Sequence, residues 1–226
     1  MKAFRRCVLA GFLGLITLSL YASQVSPKAN VDYTILDVPQ RANTDNKVEV
    51  IEFFGYFCGH CHTLDIPLSN WAKKNSHRIA FKRVAIGFNE GTRLHQRIFY
   101  TLTAMGKLTD QRHQKIFKAV QEDHIRLRNE SQVFDFVASL GVDRNKFSEV
   151  YQSFSVQAFM KNAESMQELY KIDGVPMIVI DGKYVTSLAM VAQGNNLNSD
   201  EKIYAATFKV MDYLVEQAHK KTGMAK

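Results

Sequence analysis

Cysteine is scarce in this chain of 226 residues: three in all, at Cys7, Cys58 and Cys61. Three cysteines cannot build the multi-bridge framework of a small secreted scaffold. A structural zinc site normally needs four ligands. Here no second C-x-x-C and no H-x-x-x-H occurs, and His77, His95, His113, His124 and His219 are scattered. Internal repeats, low-complexity tracts and any internal apolar run of membrane-spanning length are missing too. A strong excess of one charge is also lacking. The formal charge is +7, but removing Lys2, Arg5 and Arg6 leaves 26 basic against 22 acidic residues, spread along the chain. That balance describes solvated surface and excludes a nucleic-acid-binding stripe.

The N-terminus reads as an export signal. Met1 to Arg6 is a basic n-region, Val8 to Leu20 is a 13-residue apolar run, and Leu20-Tyr21-Ala22 offers a cleavage site, so residues 1–22 form the expected signal peptide. Leu20 is not small at the −3 position, which leaves an uncleaved anchor as the alternative. Cys7 precedes the apolar run and would leave with the signal. Only Cys58 and Cys61 then remain, in a disulfide-permissive setting. Closing so small a ring stabilises a fold by only about 2 kcal/mol before strain, so chemistry explains the pair better than stapling.

Nearly half of the residues are apolar, enough for a packed core. Tyr33 to Leu36 suggests an edge strand, and Asp37 to Lys47 a loop. Val48 to Phe57 is rich in β-branched and aromatic residues and predicts a buried strand. A helix is expected from the cysteine pair through Leu64, Leu68, Trp71 and Ala72, kinked at Pro67, and Arg78 to Phe88 predicts a second strand. From Asn89 to Ile172 the period turns helical. Leu94, Ile98, Leu102 and Met105 share one face, followed by Ile116, Phe117 and Val120. Asn129 and Gln132 predict a capping box before Val133, Phe136, Val137 and Leu140, with Gly141 as the stop. Two more helices carry Phe147, Val150, Tyr151 and Phe154, then Phe159, Ala163, Met166 and Leu169. Met177 to Val185 reads as a hairpin turning on Asp181-Gly182. A final helix is capped by Asn198 and Glu201 and ends near Lys220 and Lys221. The expected fold class is α/β, with an all-helical subdomain at 89–171 interrupting an α/β domain built from 32–88 and 172–221.

The stretch CGHCH, Cys58 to His62, admits three chemistries. Zinc lacks its further ligands. Haem attachment through two thioethers, with His62 as axial ligand, suits an exported protein, but the motif follows a hydrophobic strand in an α/β pattern. In the simpler reading His62 is an exposed residue on the first helical turn. A redox dithiol gives every position a role. Cys58 at a helix N-terminus meets unpaired N–H groups and the positive dipole end, which favour thiolate. Cys61, one turn on and further inside, is the resolving thiol. His60 can donate to the Cys58 sulfur or, when charged, favour its anion, and Gly59 leaves that sulfur open to approach. Glu52 is a carboxylate on a mostly apolar strand. It is either outward-facing or buried with a raised pKa and relaying protons to Cys61 through water. Gly174-Val175-Pro176 opens the later strand. A cis bond before Pro176 would leave the backbone around Val175 to pair with an extended peptide.

With EFFGYFCGHC, the long helical block and GVPMIVIDGKY, the sequence resembles the DsbA family of thioredoxin-fold thiol-disulfide oxidoreductases, from about Tyr33 to the C-terminus. The resemblance implies Cys58 as nucleophile, Cys61 as its partner, Glu52 as buried acid and Pro176 as cis-proline preceded by Val175. It implies no cofactor beyond the Cys58–Cys61 disulfide. It also implies a periplasmic oxidase whose partners are reduced, unfolded exported proteins and a quinone-linked inner-membrane thiol oxidase. One departure is Gly59-His60 where the family commonly has Pro-His, which predicts a less oxidising pair. About ten residues separate the expected cleavage site from the first strand, too few for a dimerisation domain. A monomeric oxidase is therefore expected over a dimeric isomerase, with a reductase as a further alternative.

Overall fold

The computed structural model describes residues 26–41, 44 and 46–221, so the expected signal peptide and Cys7 lie outside the described residues. Five strands form one sheet in the order β1-β5-β4-β2-β3. They are β1 (Thr34–Ile35), β2 (Val48–Phe54), β3 (Ile79–Ala85), β4 (Met177–Ile180) and β5 (Tyr184–Thr186). β2 and β3 run parallel, and the other pairings are antiparallel. All seven residues of β2 are buried, as befits a strand covered on both faces.

The helices are α1 (Gly59–Lys74), α2 (Glu90–Ala104), α3 (Asp110–Gln121), α4 (Glu130–Ser139), α5 (Arg144–Tyr151), α6 (Phe154–Leu169), α7 (Leu188–Gly194) and α8 (Asp200–Lys221). Two cores result. Ile51, Phe53 and Val179 pack with side chains of the five helices between β3 and β4, such as Phe99, Phe117, Phe147 and Met160. Val50, Ile178 and Ile180 pack with Leu64 and Leu68 of α1 and with Met211 and Leu214 of α8. The alternation of residues along β2 therefore serves two separate layers.

Several expectations shift in detail. β2 stops at Phe54, and Gly55 to Phe57 turn the chain toward α1. The Asp181-Gly182 turn has φ of 56° and 61°, the positive pair that a type I′ hairpin requires. A Cβ on Gly182 would also lie 2.1 Å from the Gln40 carbonyl oxygen, so glycine is needed twice over. Asn129 does cap α4, but the Gln132 side chain accepts from the N–H of Arg128 and not from that of the cap. α8 begins at Asp200, which puts Ser199, not Asn198, at the cap position. Phe154 opens α6 and does not belong to the α5 core; it is 84% exposed. α6 buries Val156, Met160 and Ala163, leaving Phe159 and Leu169 exposed. α7, which the apolar periodicity does not predict, is capped by the Ser187 hydroxyl.

Candidate active site

The turn after β2 places Cys58 at the N-cap of α1, with φ −97° and ψ 115°. Its Sγ accepts from the N–H of Cys61 at 3.2 Å, occupying one of the donors that a helix start leaves unpaired. As a thiol it donates to the Val175 carbonyl at 3.3 Å. Cys58 is half-buried and Cys61 wholly buried, both as free thiols. Their proton affinities diverge. The Cys58 thiol is held below its ordinary range, first by the hydrogen bond from the Cys61 thiol and then by the backbone N–H groups of Cys61 and His60; burial and Glu52 oppose this. Burial, then the Cys58 sulfur, pushes Cys61 far up. One sulfur is an accessible incipient thiolate. The other stays protonated.

His60 enters through its backbone. Its imidazole is exposed and lines a neighbouring groove, and among the described residues the hydrogen bonds to Cys58 Sγ come from main chain and from Cys61. His62 is likewise not simply exposed: its ring stacks on Phe117 at 5.6 Å and its Nε2 lies 3.4 Å from Glu122. Haem does not fit these residues, because Cys61 has no open face for a thioether and the His62 ring is engaged on both counts. Among the described residues no cluster of three or more His, Cys, Asp or Glu side chains could hold a metal ion.

Glu52 is buried, 1% exposed, which decides against the outward-facing reading. It sits opposite Arg83 in the parallel register of β2 and β3, and Arg83 Nε donates to its Oε2 at 2.9 Å. Burial raises the Glu52 carboxyl to about 7; Arg83 resists the rise, while Asp65 adds to it. Its charge acts on both sulfurs. Arg83 also donates to Asp65 and to the Ser69 hydroxyl, each at 2.8 Å.

Sequence reasoning missed Arg83 and Asp65. Asp65 falls four residues after Cys61, on the same face of α1, and that spacing was the available signal. It also missed Gln121, whose Nε2 donates to the Tyr56 carbonyl at 2.7 Å and ties α3 to the turn that presents Cys58.

The Val175–Pro176 bond is cis. Gly174, Val175 and Pro176 border a largely apolar groove of about 580 Å³, lined also by Met177, Leu188 and Tyr204. The groove therefore runs beside Val175, whose carbonyl meets the half-buried sulfur, and its walls are largely apolar.

Residues 49–197 match the family model described as a DSBA-like thioredoxin domain. Over 217 residues the chain is 36% identical to the thiol:disulfide interchange protein DsbA of Bordetella pertussis, covering 96% of this chain and 98% of that protein. It is 32% identical over 219 residues to the thiol:disulfide interchange protein DsbA of Azotobacter vinelandii, covering 96% and 97%. The crystal structure of Pseudomonas aeruginosa DsbA superposes with a TM-score of 0.78 at 28% identity, covering 87% of this chain and 97% of that one.

Proposed function

The chain belongs to the family of DSBA-like thioredoxin domains, and on that footing we propose that Cys58 and Cys61 carry its disulfide exchange. It is a thiol-disulfide oxidoreductase that introduces disulfide bonds into proteins, using its own cysteine pair. The observation that carries the assignment of roles is a half-buried Cys58 sulfur at the helix start, accepting from a backbone N–H, one turn before a fully buried Cys61.

In the oxidised protein a client thiolate attacks Cys58 Sγ, the Cys58–Cys61 bond breaks, and Cys61 leaves. The Cys61 sulfur is buried and holds a proton strongly, so it needs one at that moment. Glu52, titrating near neutrality, supplies it through water and is left as a carboxylate beside Arg83. A second client thiolate then attacks the client sulfur of the mixed disulfide, and Cys58 departs as a stabilised thiolate. The client loses two electrons and the Cys58–Cys61 pair gains them. During the exchange the backbone at Val175 pairs with the extended client, and the groove beyond Pro176 takes its apolar side chains. Gly174 keeps the approach to that edge free of a side chain.

The finer assignments follow the same reading. The protein works as a monomer in the periplasm, acts on reduced exported proteins, and is reoxidised by a quinone-linked membrane thiol oxidase. A redox titration against glutathione, with parallel assays on reduced and scrambled test proteins, checks this. Fast oxidation of the reduced protein, little repair of the scrambled one and no activity in Cys58→Ser are expected. Preferential repair of the scrambled protein would instead make it an isomerase, and full oxidation by Cys58→Ser would remove Cys58 from the chemistry.

A further inference from the structure

Beneath α1 lies a chain of polar side chains that extends past the Glu52–Arg83 pair, and its last links have no part in the exchange described so far. Arg83 Nε holds Glu52 and its terminal nitrogen holds Asp65. Beyond Asp65 sits His113, from the middle of α3, buried among Phe54, Phe99 and Phe117. His113 Nδ1 is 2.7 Å from the Tyr56 hydroxyl, and Nε2 is 3.3 Å from Asp65 Oδ1. The charged and titratable groups that face it are Tyr56 from the turn after β2, Asp65 from α1, Arg83 from β3 and Asp110 from α3 itself.

These partners fix where the imidazole proton sits. Burial drives the Tyr56 phenol well above its ordinary 10.0, so it keeps its proton and donates to Nδ1. Burial also holds the imidazole below its ordinary 6.5, so the ring is neutral at pH 7. The single ring proton is then on Nε2, facing Asp65. At 3.3 Å this is a charge–dipole contact, and Nε2 has no other partner among the described residues. Its N–H is therefore a buried dipole aimed at a carboxylate in a low-dielectric site. Asp65 draws on two donors for stabilisation, Arg83 and this dipole. Arg83 in turn is divided between Asp65 and Glu52.

Resting on the reading of Glu52 as proton carrier for Cys61, we propose that His113 is a positioning residue of the exchange, acting through Asp65 and Arg83 on the proton of Glu52. Removing the dipole makes Asp65 lean harder on Arg83. Less of the guanidinium charge then reaches Glu52, and its carboxyl holds its proton to higher pH.

The test is the pH dependence of exchange with glutathione in the full chain, with thermal unfolding of each variant as a check of folding. Glu52→Gln is expected to remove the kinetic limb near neutrality. His113→Leu is expected to move its midpoint upward by about half a pH unit, roughly a three-fold change in proton affinity. His113→Gln, which keeps an N–H for Asp65, is expected to stay near the wild-type midpoint. His113→Leu added to Glu52→Gln is expected to move nothing.

If Glu52→Gln loses the limb while His113→Leu keeps the wild-type midpoint, the His113 proposal alone is overturned. So it is if His113→Gln shifts as far as His113→Leu, since lost volume would then be the cause. A limb that survives Glu52→Gln overturns the Glu52 reading and this proposal with it. Should His113→Leu fail to fold, His113→Phe keeps the bulk of the ring and has no N–H for Asp65. The same upward shift is expected there, and an unmoved midpoint counts against the proposal.

Discussion

At the residue scale, the two cysteines differ in surroundings more than in chemistry. Cys58 is offered to solvent and to helix-start donors; Cys61 is sealed. Iodoacetamide at pH 7 should therefore label Cys58 at least ten-fold faster than Cys61 in the reduced protein, read by mass spectrometry of the labelled peptides. Equal labelling would contradict the division. Glu52 makes a second, energetic statement. Its carboxyl is raised from 4.5 to about 7, so between those values the folded state holds a proton that the unfolded state has released. Stability is thus lost as pH rises through that window, by up to about 3 kcal/mol once Glu52 is fully ionised. Glu52→Gln should stabilise the protein at pH 8 and change little at pH 5, measured by denaturant unfolding; a stabilisation independent of pH would contradict the raised carboxyl. For Glu52, burial was one of two readings left open by a carboxylate on a mostly apolar strand that also carries Glu49. Its partner was not legible. Arg83 reads as an ordinary strand cation until the register of β2 against β3 sets it opposite Glu52, and register depends on both strands at once.

At the element scale, α1 matters through its first turn. Gly59 is N1 of that helix, where proline's missing N–H leaves nothing unpaired. Cys58 already has the extended backbone that a residue before proline adopts, and a Cβ at position 59 would meet only the Gln121 Oε1, at 3.5 Å. Gly59→Pro should therefore stiffen the donor set around the thiolate and favour the reduced pair. A glutathione titration should show a shift toward the oxidising side, at least ten-fold in the equilibrium constant or about 30 mV. No shift would mean that chain stiffness at this position does not set the potential. Legibility differed among the elements. The main strands and long helices followed from periodicity. In α6, however, the expected stripe of Phe159, Ala163, Met166 and Leu169 holds at Ala163 and partly at Met166, while Phe159 and Leu169 are exposed and Val156 and Met160 face the core instead. Helices with apolar residues on more than one face leave the buried side to be chosen by neighbours. α7 spans seven residues, too short to establish a period.

At the scale of the whole molecule, two layers meet at the dithiol. α1 and α8 cover one side of the sheet, and α3 reaches the active turn from the helical side through Gln121, Phe117 and Glu122. The groove between Pro176, α7 and Tyr204 supplies an apolar wall that a small thiol would not need. Met190→Asp, on that wall, should slow oxidation of a reduced protein several-fold more than it slows exchange with glutathione. Equal slowing would place the groove outside client binding. The sequence alone could place Val175 and Pro176 near the cysteines, but not the groove, whose third side is the unexpected α7.

The most direct measurement is a thiolate titration of the reduced protein, following ultraviolet absorbance from acid to alkaline pH with Cys58→Ser as the blank. A single thiolate should appear well below the ordinary thiol midpoint of about 8.5 and be missing from the blank. A midpoint at or above that value, or one that persists without Cys58, would contradict an activated Cys58.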